Sequence, residues 1–373
     1  MALVSTPPAP PAIVQPAPYE VSYGVVRGVA APGTVRLVVK ADGRLVRSLP
    51  LEQGSFVVAA PLPLGEVTVR IETIDRHGRR SGRSVPHVLV LPAAARPRLL
   101  PARVDPGLVR SLRRLTTAFP GTSALYVQSL TTGAGASWNA DASFPAASTL
   151  KLAIAVTALA RVQGSPQRGS RLDSLLRRML VYSDNAAANE VERYFAGSTS
   201  GGSTLVNALM RSIGLHDSEM YGGYEIGTRS VSGHGAGIPT RVDEQPSWGR
   251  GKRTTAHDLA HLARAVWLAG SGKGPLRSAQ PGFTPADARY LLYVLAYVRD
   301  PGKLDRVIGS VPGVTVAHKA GWLGVARHDA GLVFWRGGVF VAAVMTYRSS
   351  GAGNSSDVLA GRVGSLALQR FRG

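Results

Sequence analysis

At 373 residues and 45% apolar content, the chain is long enough for two domains or one large one and can bury a sizeable core. It holds no cysteine, which excludes disulfides, thiolate nucleophiles and cysteine-ligated metals together. The net charge is +20, and only six of the 43 basic residues are lysine, so the excess is arginine.

In chain order, residues 1–18 read as a flexible Pro/Ala-rich lead. The lead lacks the basic n-region and continuous h-region of a signal peptide. Residues 19–91 predict an all-β sandwich: "TVRLVVKADG", "RLVRSLPL", "GSFVVAAPL", "GEVTVRIETID" and "PHVLVL" are short strands bounded by Gly, Pro and Asp turns. This region resembles a small immunoglobulin-like or fibronectin-like module. It holds no catalytic cluster, so spacing or adhesion is its expected role. "PAAARPRLLPARVDP" then predicts a linker over residues 92–104.

A second domain is expected over residues 105–373. A helix ("PGLVRSLRRLTTAF") leads into two strands ("SALYVQSLTTGAGASWNADA"). Helices follow from residue 148 to about 268, broken by a Gly-rich irregular section over 221–251. After another helix ("ADARYLLYVLAYV"), three strands and a final helix close the pattern, the last two strands joined at Gly337-Gly338. The chain is thus expected to be multidomain. A β-sandwich precedes an α/β domain whose five-stranded antiparallel sheet is built from both chain ends and covered by a helical subdomain.

The chemistry is expected in three short stretches. In "FPAASTLKLAIAV", residues 144–156, Ser148 precedes Lys151 by three positions, one turn along the same helix face. A serine hydroxyl needs a base, and a desolvated lysine near other cations becomes a neutral amine that can serve. The bland alternative is a capped helix whose lysine reaches solvent. In "VYSDNAAANEV", Ser183 can relay a proton to a leaving group, and Asn185 can bond both a substrate amide and Lys151. The alternative there is a helix-connecting turn. In "VAHKAGWL", Lys319 and Gly321 fall on a strand. Lys319 would keep the site electropositive, and Gly321 would let a substrate backbone approach. The backbone N–H groups of Ser148 and Trp322 would form an oxyanion hole.

Together these residues resemble the penicillin-recognising serine hydrolases, class A β-lactamases and D,D-peptidases, whose motifs are S-x-x-K, S-D-N and K-T-G. The resemblance covers roughly residues 105–373. It implies a β-lactamase-like fold, Ser148 as the acylated nucleophile, Lys151 as its base, Ser183 as the proton shuttle, Asn185 on the substrate amide and Lys319 on the substrate carboxylate.

Two departures follow. The third motif reads Lys-Ala-Gly, without the hydroxyl that helps hold a carboxylate in relatives; Arg327 is the candidate to compensate, the plain alternative being a solvent-facing arginine. The Glu-x-x-Leu-Asn of class A enzymes, whose Glu activates the deacylating water, is missing. Glu225 is the candidate deacylation base by position, with Asp243 and Glu244 behind it, and each also reads as a plain loop charge.

No cofactor and no metal is expected. His257 and His261 stand at i, i+4 but without a zincin glutamate, and read as surface or core residues. No dense basic run with interleaved aromatics suggests nucleic acid, and no apolar stretch reaches the roughly 18 residues of a membrane span. The arginine excess reads first as a composition biased throughout toward Arg, Ala, Gly and Pro, and second as affinity for an anionic cell-envelope surface. Three functions compete: a β-lactam-hydrolysing enzyme with slow deacylation, a D,D-peptidase or esterase acting on peptidoglycan-stem peptides, and a non-catalytic cell-wall-binding protein. All imply an extracytoplasmic location, secreted, periplasmic or attached to the envelope.

Overall fold

The computed structural model describes residues 8–52, 54–162, 164–224, 251–300 and 302–373. The chain separates into two compact units, Met1–Ala93 and Ala94–Gly373.

The first unit holds eight strands among its described residues: β1 (Ala12–Gln15), β2 (Val21–Ser22), β3 (Val25–Val29), β4 (Thr34–Ala41), β5 (Arg44–Pro50), β6 (Ser55–Ala59), β7 (Gly65–Asp75) and β8 (Arg80–Val90). They form two sheets, ordered β1-β3-β6 and β2-β8-β7-β4-β5. Val26, Phe56 and Val58 of the smaller sheet share one core with Leu37, Val39, Val69, Ile71 and Val88 of the larger. Strand β6 shows why, since its side chains alternate strictly between exposed and buried. The β4–β5 hairpin turns at Asp42-Gly43, both at positive φ as a two-residue hairpin turn requires.

Two boundaries differ from the sequence reading. Residues 12–15 are not free lead but an edge strand, with Ala12 opposite Val29, and an edge tolerates the flanking prolines. Strand β8 starts at Arg80, because a polar Gly/Arg stretch pairs with β7 beyond the end of the apolar core.

The second unit opens with β9 (Arg103–Val104), α1 (Pro106–Thr117), β10 (Thr122–Ser129), β11 (Ala134–Trp138) and β12 (Phe144–Pro145). The helical section contains α2 (Lys151–Arg161), α3 (Arg171–Val181), α4 (Asn185–Ala196), α5 (Thr199–Ser212), β13 (Arg253–Thr254), α6 (Ala256–Ala269), α7 (Pro275–Ala279) and α8 (Pro285–Leu295). It closes with α9 (Asp305–Ile308), β14 (Thr315–Trp322), β15 (Ala326–Trp335), β16 (Gly338–Tyr347) and α10 (Asn354–Arg372).

The main sheet runs β14-β15-β16-β10-β11-β9. Its first five strands are antiparallel neighbours, and β10 joins β16 directly, so both chain ends build it. The expected five strands gain a sixth, the two-residue β9, which pairs parallel with β11. On one face α1 and α10 pack Leu108, Leu112, Leu359 and Val363 against Leu125, Val333, Phe340 and Val344. Asp105 caps α1 through the Gly107 and Leu108 amides and pairs with Arg370, which ties that helix to the end of α10. Helix α6 lies against β10, β15 and β16.

The stretch expected to be a linker is fastened to the second unit. Trp267 Nε1 donates to the Ala95 carbonyl at 3.0 Å, and Arg264 donates to that of Leu100 at 3.1 Å. Among the described residues no helix is long and apolar enough to cross a membrane.

Candidate active site

Helix α2 is apolar on every side and buried from Lys151 to Leu159, so it runs through the interior as such helices must. The chain reaches it through a turn held from both flanks. Below, β12 pairs with β13, and Ala146 N donates to the Lys252 carbonyl at 2.8 Å. Beside it, His328 of β15 accepts from Thr346 N on Nδ1 and so donates from Nε2 to the Pro145 carbonyl at 2.8 Å. Burial keeps that ring neutral by pulling its pKa down to about 4. The turn itself closes by Thr149 N to Ala146 O and Lys151 N to Ser148 O. Ser148 does not cap the helix: the cap position falls on Leu150, which makes no side-chain bond. Its hydroxyl is left for Lys151.

Lys151 is fully buried, which removes the solvent-reaching alternative. Its Nζ lies 3.0 Å from Ser148 Oγ, and donates to the Ser183 carbonyl at 2.5 Å and to Asn185 Oδ1 at 2.6 Å. Burial lowers its pKa to about 6, with Lys319 and Lys252 pushing the same way and Asp184 opposing. A neutral amine has two N–H bonds and one lone pair. The two short acceptors take both N–H bonds, and the lone pair is left facing the Ser148 hydroxyl.

Ser183 sits in the break between α3 and α4 with φ at 58°, a left-handed conformation that costs a serine about 1–2 kcal/mol. Asp184 sustains the break: it caps α4 by accepting from Ala187 N and pairs with Arg178 at 2.5 Å. The result puts Asn185 on the first turn of α4 facing Lys151, and Ser183 Oγ between two amines. Lys319 Nζ donates to that oxygen at 3.0 Å and to the Ala320 carbonyl at 2.6 Å, while Lys151 is 3.5 Å away. Burial lowers the Lys319 pKa to about 8, opposed by Asp300 and Asp329.

Gly321 follows on β14, where a Cβ atom would stand 2.7 Å from Ser148 N and 2.9 Å from Thr149 N. Only glycine lets the strand lie this close to the nucleophile turn. Trp322, at the end of the strand, is 60% exposed. Arg327 is not free to replace the missing hydroxyl, because its guanidinium pairs with Asp357 of α10. Glu225, Asp243 and Glu244 lie outside the described residues.

The structure adds residues that the sequence reading passed over. Lys252, just before β13, sends its Nζ to the Gly223 carbonyl at 2.6 Å, and the centroid of the Tyr224 ring lies 4.7 Å from the Lys252 amine and 4.6 Å from that of Lys151. Asn189 holds the Tyr224 backbone. The signal that was available is lysine scarcity: of six lysines in an arginine-rich chain, three meet here. Under β14, His318 Nδ1 contacts both carboxylate oxygens of Asp329 at 2.8 Å, and Leu304 N donates to the same group. With Asp305 these side chains lie close enough to hold a cation. Asp305, however, already accepts from the amides of Gly302 and Lys303, and the His318–Asp329 pair satisfies itself, so the cluster is a buried brace for the Lys319 strand. His257 and His261 pack their rings 4.0 Å apart beside Tyr126, and burial takes the His261 pKa down to about 4.

A family model described as the β-lactamase enzyme family matches residues 107–167 and 163–371, nearly all of the second unit. The chain belongs to that family. Solved structures agree on the fold. The structure of PBP-A is 23% identical with a TM-score of 0.55, over 74% of this chain and 99% of that one. A β-lactamase from Sphaerobacter thermophilus is 20% identical with a TM-score of 0.53, over 72% and 98%. A class A β-lactamase from Mycobacterium abscessus is 18% identical with a TM-score of 0.52, over 71% and 100%. No curated protein matches the chain. Within this β-lactamase family member, the three motifs expected from sequence occupy one site, with Lys-Ala-Gly in the place of the third.

Proposed function

We propose that the chain is an acyl-serine hydrolase that opens β-lactam amides and releases the product slowly. The observation that carries the reading is the buried Lys151 amine 3.0 Å from Ser148 Oγ with both of its N–H bonds occupied. Lys151 takes the Ser148 proton as Oγ adds to the lactam carbonyl carbon, and the oxyanion is held by the N–H groups of Ser148 and Trp322. The tetrahedral centre then collapses, the C–N bond breaks, and Ser183 hands its proton to the leaving nitrogen and takes from Lys151 the proton that came from Ser148, while the Lys319 charge supports the relay. Asn185 orients the substrate amide, and Gly321 leaves room for its backbone. Hydrolysis of the remaining ester needs a base for water. The Glu-x-x-Leu-Asn that supplies this base in class A relatives is missing from the sequence, which supports slow release.

A related structure, a point mutant of PBP-A, is an acyl-enzyme complex with penicillin G. For the present chain the test is intact mass after exposure to benzylpenicillin, followed over time. We expect one adduct that forms quickly and persists, with a burst near one equivalent. Ser148→Ala should abolish it, and an adduct retained in that variant overturns the reading.

A second reading keeps the same acylation but takes peptidoglycan-stem peptides as substrate, as a D,D-peptidase or esterase. It is favoured by the missing Glu-x-x-Leu-Asn, without which a β-lactam acyl group would block Ser148 rather than turn over. Release of terminal D-alanine from such a peptide would select it. Either substrate class implies a protein outside the cytoplasm, with the β unit as a spacing or adhesion module.

A further inference from the structure

Tyr224 is the aromatic wall of the site, and its placement is enforced. Gly223 before it accepts only a hydrogen at Cα, since a Cβ would stand 2.6 Å from Asn189 Oδ1. Asn189 then grips the Tyr224 backbone twice: Tyr224 N donates to Oδ1 at 2.5 Å, and Nδ2 donates to the Tyr224 carbonyl at 2.9 Å. Asn189 is one helical turn beyond Asn185, so α4 positions the substrate amide ligand and the aromatic wall from one face. The ring centroid is 4.6 Å from Lys151 Nζ and 4.7 Å from Lys252 Nζ. The hydroxyl does not reach the site chemistry, because its hydrogen-bond partner is Met220 Sδ at 3.9 Å. Tyr224 is 6% exposed.

We infer that Tyr224 is a positioning residue that closes the Lys151 side of the site to water and thereby sets how long an acyl group stays on Ser148, an inference that rests on the acyl-serine reading. Release requires a water oxygen to add to the ester carbonyl carbon, a base to take the water proton, and Ser148 Oγ to leave with a proton restored. A ring face has no lone pair to receive that proton. It also lies against Lys151, an amine whose lone pair could otherwise take that proton, and takes up space beside it that water would fill. The same exclusion keeps Lys151 unhydrated and available as the acylation base.

The experiment uses the full chain and benzylpenicillin, with two readouts: adduct half-life by intact mass, and the pH midpoint of acylation. Tyr224→Ala should shorten the half-life about tenfold or more and move the midpoint upward, as water replaces the ring. Tyr224→Phe should change neither. Tyr224→Val keeps an apolar residue in the core but withdraws the ring from both lysines, and should act in the direction of Tyr224→Ala if that variant folds poorly. An unchanged half-life in the Ala and Val variants overturns the inference while leaving acylation intact. A shortened half-life in Tyr224→Phe overturns it too, by assigning the effect to the hydroxyl. Absence of any adduct in the unmodified chain overturns the acyl-serine reading itself, and this inference with it.

Discussion

Lys319 Nζ donates to Ser183 Oγ at 3.0 Å, and the same hydroxyl is 3.5 Å from Lys151 Nζ. One oxygen therefore stands between two buried amines. Two ammonium groups this close would repel strongly in a low-dielectric interior. The site resolves the conflict by giving them different protonation states near neutral pH: Lys151 is a free amine above about 6 and Lys319 an ammonium up to about 8.

The first prediction concerns pH. Acylation needs Lys151 neutral and Lys319 charged, so its rate should rise through about 6 and fall through about 8. Burst rates with a chromogenic cephalosporin across pH 4–10 would show both limbs. Lys319→Arg keeps a charge at all these pH values and should remove the upper limb. A rate independent of pH between 5 and 9 would exclude the two-lysine scheme.

Lys151 should also cost stability. Its pKa falls from 10.5 to about 6 on folding, so between these values the unfolded chain binds more protons and stability rises with pH. Lys151→Met places an apolar chain of similar length in the same buried position. We expect it to lower acylation about 10²–10⁴-fold, the usual weight of a general base. Its Tm at pH 7 should rise by about 5 °C, with most of the gain lost by pH 10. A melting comparison at pH 7 and 10 checks this, and a lower Tm at pH 7 contradicts it.

Gly321→Ala tests the close approach of β14 to the nucleophile turn. The new methyl group would lie 2.7 Å from Ser148 N, against backbone that cannot step aside cheaply. The expected loss is about 1–3 kcal/mol of stability, as for other overpacked sites, together with slower acylation. Denaturant melts and burst rates measure both. An unaffected variant would mean that the strand and the turn lie further apart in solution.

The units should separate at residue 93 rather than at residue 104. A chain starting at Ala94 keeps the Ala95–Trp267 and Leu100–Arg264 bonds and should fold and acylate like the full protein. A chain starting at Val104 loses both, leaving the Trp267 N–H buried without its partner, a cost of about 1–3 kcal/mol. Thermal melts of the two chains should differ accordingly, and equal Tm values would contradict the fastening.

What could be read from the chain was whatever lies close in sequence. Ser148 and Lys151 share one helical turn, Ser183 to Asn185 share one loop, and Lys319 to Gly321 share one strand, so local spacing carries each motif. Tyr224 was invisible because its grip comes from Asn189, 35 positions away. Lys252 was invisible because its neighbours arrive from α2 and from the segment before it. Arg327 misled for the same reason, since Asp357 reaches it from a helix 30 residues later. In the β unit, apolar alternation marked the core-facing strands and could not mark β1 or the outer half of β8, whose side chains face solvent or only partly enter the core.

Because the chain is so poor in lysine, its folded surface offers few amines to outside reagents. Lys151, Lys303 and Lys319 are buried, Lys40 and Lys252 are partly covered, and Lys273 alone is exposed. Coupling to an amine-reactive resin or dye would therefore attach the protein mainly through Lys273, at the end of α6, and through its terminal amine. Such a preparation would hold few orientations, and the slower labelling of Lys252 and Lys151 would report directly on opening of the site.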